Sequence, residues 1–422
     1  MRYALNSTEI VVGLDLGSTK VTAVVGEVDA DCIRILGAGT VPCRGLRKGV
    51  VSNIEYTVRA IREAVDAAEN MAGVQISTVY AGVAGSHVRS HVSDGVCAIA
   101  GREVTRADLE RVLEGARAIP VDADRMLLHA LAREYVVDNQ DGIRDPVGMS
   151  GVRLQARVNL VTAAASCVQN VIRCVERCEL EVAEVVLQPL AAADAVLSED
   201  EKEIGVAVLD IGGGTSDLVL YADGGIAHVS VIPAGGNNIT ADLAAGLRTP
   251  MGEAERLKCN QGCALGRMIG EDEEVEVPGV RGHGSRRVAR RLLGDIIEPR
   301  VEEIFAEARR RIEELGLLEQ MASGCVLTGG AALMEGMVEC AEEVLGMPVR
   351  LGMPEGIDGM VQLVQAPRFA AAVGLVRYGA QALSDAALRE RDRGAPAPAV
   401  LRDAPRESAR GRGLIDWLRA AF

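Results

Sequence analysis

The chain predicts an α/β fold built from two similar halves that face each other across a cleft. Three observations carry that prediction. Residues 206–221 (VAVLDIGGGTSDLVLY) read as an apolar strand, a glycine-rich turn and a returning apolar strand. Residues 10–25 (IVVGLDLGSTKVTAVV) repeat the pattern early in the chain, so that Asp15 and Gly17 align with Asp210 and Gly212. Each copy is followed by a further strand-like run, residues 32–36 and 226–232. Glycines let such a turn take positive φ and let backbone N–H groups come close to a ligand, which makes a concavity suited to phosphate oxygens. Asp210 and Asp217 stand beside it, and Mg²⁺ prefers one or two carboxylates plus phosphate. One such hairpin alone is equally a plain tight turn. The second copy supplies an opposing jaw.

Composition sets the frame for these elements. The 422 residues are enough for two or three domains. Hydrophobic residues make up 48% but aromatics only 2%, so the core must be built from Ala, Val, Leu and Ile. The formal charge of −15 argues against a nucleic-acid surface, which needs clustered Lys and Arg across a face. Any basic site is therefore local. Residues 1–9 lack a secretory pattern, and no apolar run reaches the roughly 18 residues of a membrane span, so a cytosolic protein is expected unless something peripheral anchors it. The ten cysteines are scattered; the tightest pairs, Cys174/Cys178 and Cys259/Cys263, have helical spacing with no histidine nearby and read as reduced, packed thiols.

Taken in order, residues 84–165 lie between elements of the first half. They carry strand character around 152–161 and a helix over 106–117, where Leu109, Val112, Leu113 and Ala116 form one apolar stripe. Residues 185–196 (VVLQPLAAADAV) read as a buried strand running into a helix. Glu255 and Lys258 lie one turn apart on a helical run, a spacing that suits a surface ion pair. From residue 281 the chain turns basic, with Arg286, Arg290 and Arg300 offering either a solvated face or a docking site for carboxylates. Residues 325–337 (CVLTGGAALMEGM) give a strand, paired glycines and a helix. Residues 370–379 read as a further helix. Residues 384–410 are polar and carry Ala-Pro-Ala-Pro, the composition of an extended tether. In 411–422, Leu414, Ile415, Trp417, Leu418 and Phe422 share an arc of roughly 160° with Asp416 and Arg419 opposite, the pattern of a membrane-surface helix or of a helix docking back on the domain. Trp417 suits an interface, and Arg410, Arg412 and Arg419 suit anionic headgroups.

Five of these motifs, in this order, resemble the phosphate, connecting and adenosine motifs of the actin and Hsp70 ATPase superfamily. Residues 45–53 (GLRKGVVSN), 81–87 (AGVAGSH), 102–105 (REVT), 141–152 (DGIRDPVGMSGV) and 235–240 (GGNNIT) resemble the FtsA family of bacterial cell-division proteins, and the likeness covers nearly the whole chain. The resemblance implies an actin-like, ribonuclease H-like duplicated fold. Its first half would span 9–83, 166–202 and 366–383, and an inserted subdomain 84–165. The second half would span 203–248 and 323–365, with a further subdomain at 249–322, a disordered linker at 384–410 and a membrane-targeting helix at 411–422.

It also implies Mg²⁺ and ATP in the cleft. Gly17, Ser18, Thr19, Gly212, Gly213, Gly214 and Thr215 would surround the phosphates, with Asp15 and Asp210 near the metal's water shell and Asp217 beside them. Lys20 would reach the phosphates, although its offset from Asp15 differs from that of the actin lysine. Gly236, Asn237, Glu255, Lys258, Gly329, Gly330, Ala331 and Met334 would line the base and ribose side, and Gln188 is the candidate to orient a water for weak ATP hydrolysis. The implied partners are the C-terminal tail of FtsZ at Arg286, Arg290 and Arg300, further copies of the chain in a polymer, later division proteins through the insert, and an anionic membrane surface. The implied location is the cytoplasmic face of the membrane at the septum. The alternatives on the same fold are a chaperone-like ATPase or a pilus or shape-determining relative. A sugar kinase would need a catalytic carboxylate for which the sequence gives no specific signal, and a peptide-binding chaperone would need a large domain where only about forty residues follow the core.

Overall fold

The computed structural model describes residues 8–30, 32–280 and 284–392. Among the described residues, the first half is a sheet in the spatial order Glu181–Leu187, Thr78–Val83, Glu9–Leu16, Lys20–Val28, Ile33–Pro42 and Asp358–Gly359. Its centre is an antiparallel meander, the 9–16, 20–28 and 33–42 strands, flanked by parallel neighbours. The second sheet repeats the plan as Gly225–Ile232, Ser216–Ala222, Val206–Ile211, Cys325–Thr328 and Val349–Leu351. Here too an antiparallel meander is extended by parallel strands. The duplicated hairpin of the sequence is thus a duplicated sheet.

Strands buried on both faces read as continuous apolar runs, because each needs helices above and below. Ser216–Ala222 is buried at every position, and Glu9–Leu16 at its last six. Two helices fill the space between the sheets, Gln188–Val196 and Ala370–Asp392. The first carries only small and aliphatic side chains apart from Gln188 and Asp194, and eight of its nine residues are buried. The pair crosses so closely that a Cβ on Gly374 would overlap the carbonyl of Ala191, and the strand Glu9–Leu16 lies so close to the second helix that a Cβ on Gly13 would overlap the carbonyl of Ala372. Backbones this close leave room only for small side chains at the contact, and Tyr80 and Tyr378 pack beside it. Val206, Val208, Val219 and Val326 of the second sheet share one cluster with Val24, Val196 and Val376, so the halves are welded through these helices.

The insert forms an antiparallel sheet ordered Arg89–Ala98, Arg153–Ala164, Arg125–Val137 and Gln140–Ile143. The helix over 106–117 forms with the expected bounds; Thr105 caps it, and Asp108 answers back in a capping box worth about 1 kcal/mol. Val112 and Ala116 are buried and Leu109 and Leu113 half-buried against the sheet. Though continuous with the first half, the insert docks on the second. Asn159 Nδ2 donates to the carbonyls of Ile226 and, at 3.0 Å, Ala227, while Arg144 pairs with Glu203 at 3.0 Å.

Beyond the second sheet, Met251–Gln261, a hairpin of Glu274–Val277 with Arg286–Ala289, and the long helix Arg291–Glu314 make a small subdomain. One boundary differs from the sequence expectation. Residues 384–392, assigned to the tether, continue the helix Ala370–Asp392, with Ser384 buried. Their polar composition fits one exposed face of a helix as well as it fits a coil. The proposed membrane residues Leu414, Ile415, Trp417, Leu418 and Phe422 lie outside the described residues, as does residue 281, where the basic run starts.

Replacing Gly374 by Val forces the two central helices apart, and a loss of about 3 kcal/mol in urea denaturation is expected. Gly252 sits in a helix with open space around it, so Gly252→Ala should raise stability by up to about 1 kcal/mol. Equal effects at the two positions would contradict the close-crossing account.

Candidate functional site

Each hairpin turn closes in the same way: Gly17 N–H donates to the Lys20 carbonyl and Gly212 N–H to the Thr215 carbonyl, both at 2.9 Å. The turns meet tip to tip. A Cβ on Gly213 would overlap Thr19, and one on Gly214 would stand 2.6 Å from Ser18 Oγ. Only bare backbone can occupy these positions while the jaws are this close. A third element, not anticipated from the sequence, completes the junction. Lys48 and Gly49 form a two-residue turn, with φ of 51° and 76°, between the paired residues Arg47 and Val50. Gly49 N–H donates to Ser18 Oγ at 3.0 Å, and the Lys48 backbone abuts Gly214. The turn straps the first jaw to the second.

Behind the turns lies a cavity of about 90 Å³. Asp15, Gly17, Ser18, Thr19, Lys20, Asp210, Gly212, Gly213, Gly214, Thr215 and Asp217, expected around the phosphates and metal, line it together with Gln188 and with Gly329 and Gly330, which were expected on the base and ribose side. Gly49 and Ala84, from two of the family-like motifs, line it as well, as do Pro367, Arg368 and Ala371; none of the five was assigned to the cleft from sequence. Gln188 Nε2 donates to Asp15 Oδ1 at 2.7 Å, so the first residue of the central helix reaches directly into the first jaw.

Three carboxylates line the cavity. Burial pushes Asp15 up to about 6, offset in part by the Lys20 ammonium. Burial, with repulsion from Asp15, pushes Asp210 up to about 7. Asp217 is raised well above the usual carboxylate range, by burial and then by Asp210. Its Oδ1 is buried with no hydrogen-bond partner among the described residues. Lys20 is lowered, chiefly by burial, and donates to the Arg368 carbonyl at 2.6 Å. Two raised carboxylates, an orphaned buried oxygen and a glycine cradle form a donor set that fits a hard, hydrated cation bound with phosphate.

A second cavity of about 350 Å³ adjoins the first and is lined by Ile239, Lys258, Cys259, Asn260, Gly330, Ala331, Leu333, Met334 and Arg368. Lys258, Gly330, Ala331 and Met334 are therefore where the base and ribose side was expected. Three other residues of that expectation stand behind the wall. Gly236 N–H donates to the Gly212 carbonyl at 2.9 Å and Asn237 N–H to that of Gly213 at 2.7 Å, so they brace the second turn. Glu255 accepts from Lys258 Nζ at 2.7 Å and from Thr240. Lys258 also donates to the Gly236 carbonyl at 3.1 Å, so the Glu255/Lys258 pair fixes the cavity wall to the second turn.

The basic residues divide into two groups. Arg286 donates to the Leu247 carbonyl, and Arg300 pairs with Asp242 at 2.7 Å and with Glu303, placing both against the helix Gly236–Gly246 and its end. Arg290 instead pairs with Glu273 at 2.8 Å and with Glu335 and donates to the Gln261 carbonyl. With 13% of its side chain exposed, it braces the subdomain from within.

Comparison with known proteins follows the architecture. The family description "Cell division protein FtsA" matches residues 207–374, and "SHS2 domain inserted in FTSA" matches 85–162, the insert. The chain is 47% identical to the Cell division protein FtsA of Pseudomonas aeruginosa, over 90% of this chain and 92% of that one. It is 42% identical to that of Escherichia coli, over 88% and 90%, and 37% identical to that of Bacillus subtilis, over 89% and 84%. Among solved structures, the PilM-PilN type IV pilus biogenesis complex is similar in fold, with a TM-score of 0.65 and 19% identity over 88% of this chain and 98% of that one. The fold is actin-like, and the chain belongs to the FtsA family of cell-division proteins.

Proposed function

We propose that the chain is an ATP-binding adaptor of the division machinery, which polymerises on the membrane and ties FtsZ filaments to its cytoplasmic face. The observation that carries the nucleotide part is the tip-to-tip meeting of two Asp-bearing glycine turns over an acidic cavity that opens into a larger one. Backbone N–H groups of both turns would take the phosphates, Lys20 would add charge, and Gly330, Ala331 and Met334 would take the nucleoside. Asp15 and Asp210 would hold Mg²⁺ through its waters, and the ion would neutralise phosphate charge. Gln188 is the group available to orient an attacking water. Its hydrogen bond to Asp15 ties it to the metal side, which accords with weak turnover. Binding on both jaws at once makes nucleotide a clamp between the halves, and the insert, docked on both, would feel the closure.

Partner binding is proposed on two surfaces. Arg286 and Arg300, with the 80% exposed Arg287 beside them, offer an acidic FtsZ tail a guanidinium cluster. Arg290, 13% exposed against 26% for Arg300, would contribute by holding that subdomain in shape. Residues 411–422 would lie on anionic lipid, with affinity raised by polymer avidity. The insert would serve self-association and later division proteins.

Two outcomes test this reading. Asp210→Asn should weaken Mg-ATP binding about 10- to 100-fold in calorimetric titration. The same change should stabilise the nucleotide-free protein. A carboxyl whose folded pKa is raised lends stability that is full below about pH 4 and is lost as pH rises through its folded value, here about 7. At pH 7.5 the variant should therefore melt higher than the parent, by up to about 4 kcal/mol of relieved penalty, and the gap should vanish at pH 4. Separately, full-length protein with ATP should co-sediment with anionic vesicles, and protein lacking residues 411–422 should stay in the supernatant. Full-length protein staying in the supernatant with ATP and FtsZ tail peptide both present would contradict the adaptor reading.

A further inference from the structure

We infer that Arg368 is a phosphate-reading cation, which sets how strongly the cleft prefers nucleotides over the bare nucleoside. The inference rests on the nucleotide reading of the cleft and assigns a role to a residue outside both glycine turns.

Arg368 belongs to the short turn Pro367–Phe369, directly before the helix Ala370–Asp392. That turn is pinned to the second half: the Pro367 carbonyl accepts from Gly329 N–H at 3.3 Å and from Thr328 Oγ1 at 3.2 Å. The position of Arg368 beside the paired glycines is therefore fixed by backbone. Of the residues lining the small acidic cavity, only Gly330 and Arg368 also line the larger one, so Arg368 stands at the junction where a phosphate chain would meet a nucleoside.

Its chemical surroundings are those of a cation without an anion. The guanidinium lies 5.1 Å from the centre of the Phe369 ring, and the Lys20 ammonium lies 4.9 Å from the same centre. Two cations share one ring, and Lys20 is bound to the Arg368 carbonyl. Elsewhere in the chain such arginines face carboxylates: Arg300 meets Asp242, Arg350 meets Glu201 and Arg377 meets Asp194. Among the described residues, no carboxylate pairs with Arg368 and no hydrogen bond engages its guanidinium. Asp15, Asp210 and Asp217 line the same cavity, where Asp15 accepts from Gln188 and Asp217 from Thr215, and none of the three pairs with Arg368. Juxtaposed cations repel unless an anion lies between them, and a planar guanidinium beside an ammonium suits phosphate oxygens. Lys20 and the carboxylates occupy the jaw end, where the terminal phosphate and metal would sit. Arg368, nearer Gly330 and Met334, faces the inner phosphates.

The test is calorimetric titration of the full chain with ATP, ADP and adenosine in MgCl₂, using the parent, Arg368→Gln and Arg368→Lys. Arg368→Gln should lose about tenfold in affinity for ATP and ADP and nothing for adenosine, because a charge-assisted contact to phosphate is removed. Arg368→Lys should recover part of the loss. The side chain is exposed, so both variants should melt with the parent. Unchanged ATP affinity in Arg368→Gln, or an equal loss for ATP and adenosine, would overturn the assignment while leaving the cleft reading intact. Failure of the parent itself to bind ATP would overturn both.

Discussion

Everything in this molecule depends on how closely two glycine turns from separate sheets can approach. Gly213 and Gly214 meet Thr19 and Ser18 with no room for a side chain, and Lys48 and Gly49 strap across the contact. The remainder of the fold holds that meeting point in place. Two small-residue helices cross backbone to backbone beneath it, and one begins with Gln188, which grips Asp15.

The electrostatics oppose the packing. Three carboxylates crowd the junction, Asp15 and Asp217 buried and Asp210 half-buried; desolvation holds Asp15 and Asp210 near neutral pH, and repulsion from Asp15 adds to the rise at Asp210. This is an unfavourable arrangement at neutral pH, and in the function proposed above a hydrated cation and phosphates would relieve it. Closure and ligand binding would then be one event, felt by the insert through Asn159 and Arg144, which touch the second half from a domain continuous with the first.

The parts legible in the sequence were those with periodicity or local chemistry. Both hairpins, the capped helix over 106–117 and the strand-to-helix junction at Gln188 follow from alternating apolar runs, Asp-x-Gly spacing and a Thr–Asp capping box. The phosphate-side residues converge because each sits at a strand end that the topology brings to one edge. What escaped was decided by tertiary contact. Nothing local marks Lys48 and Gly49 as a strap or Arg368 as a wall of both cavities. Glu255, Gly236 and Asn237 were expected at the ligand surface and stand one layer behind it, because one-turn spacing gives a face but not its depth. Arg286, Arg290 and Arg300 look like one basic run, yet their carboxylate partners divide them. The run of this helix through Asp392 was hidden by a polar composition that suits a helix as well as a coil.

The central claim is that nucleotide bridges both turns at once. Amide hydrogen exchange at residues 16–20, 212–216 and 328–331, with and without Mg-ATP, tests it most directly. Protection should rise together in all three segments, with a smaller rise in residues 48 and 49. Protection confined to one hairpin, or none in either, would contradict the clamp.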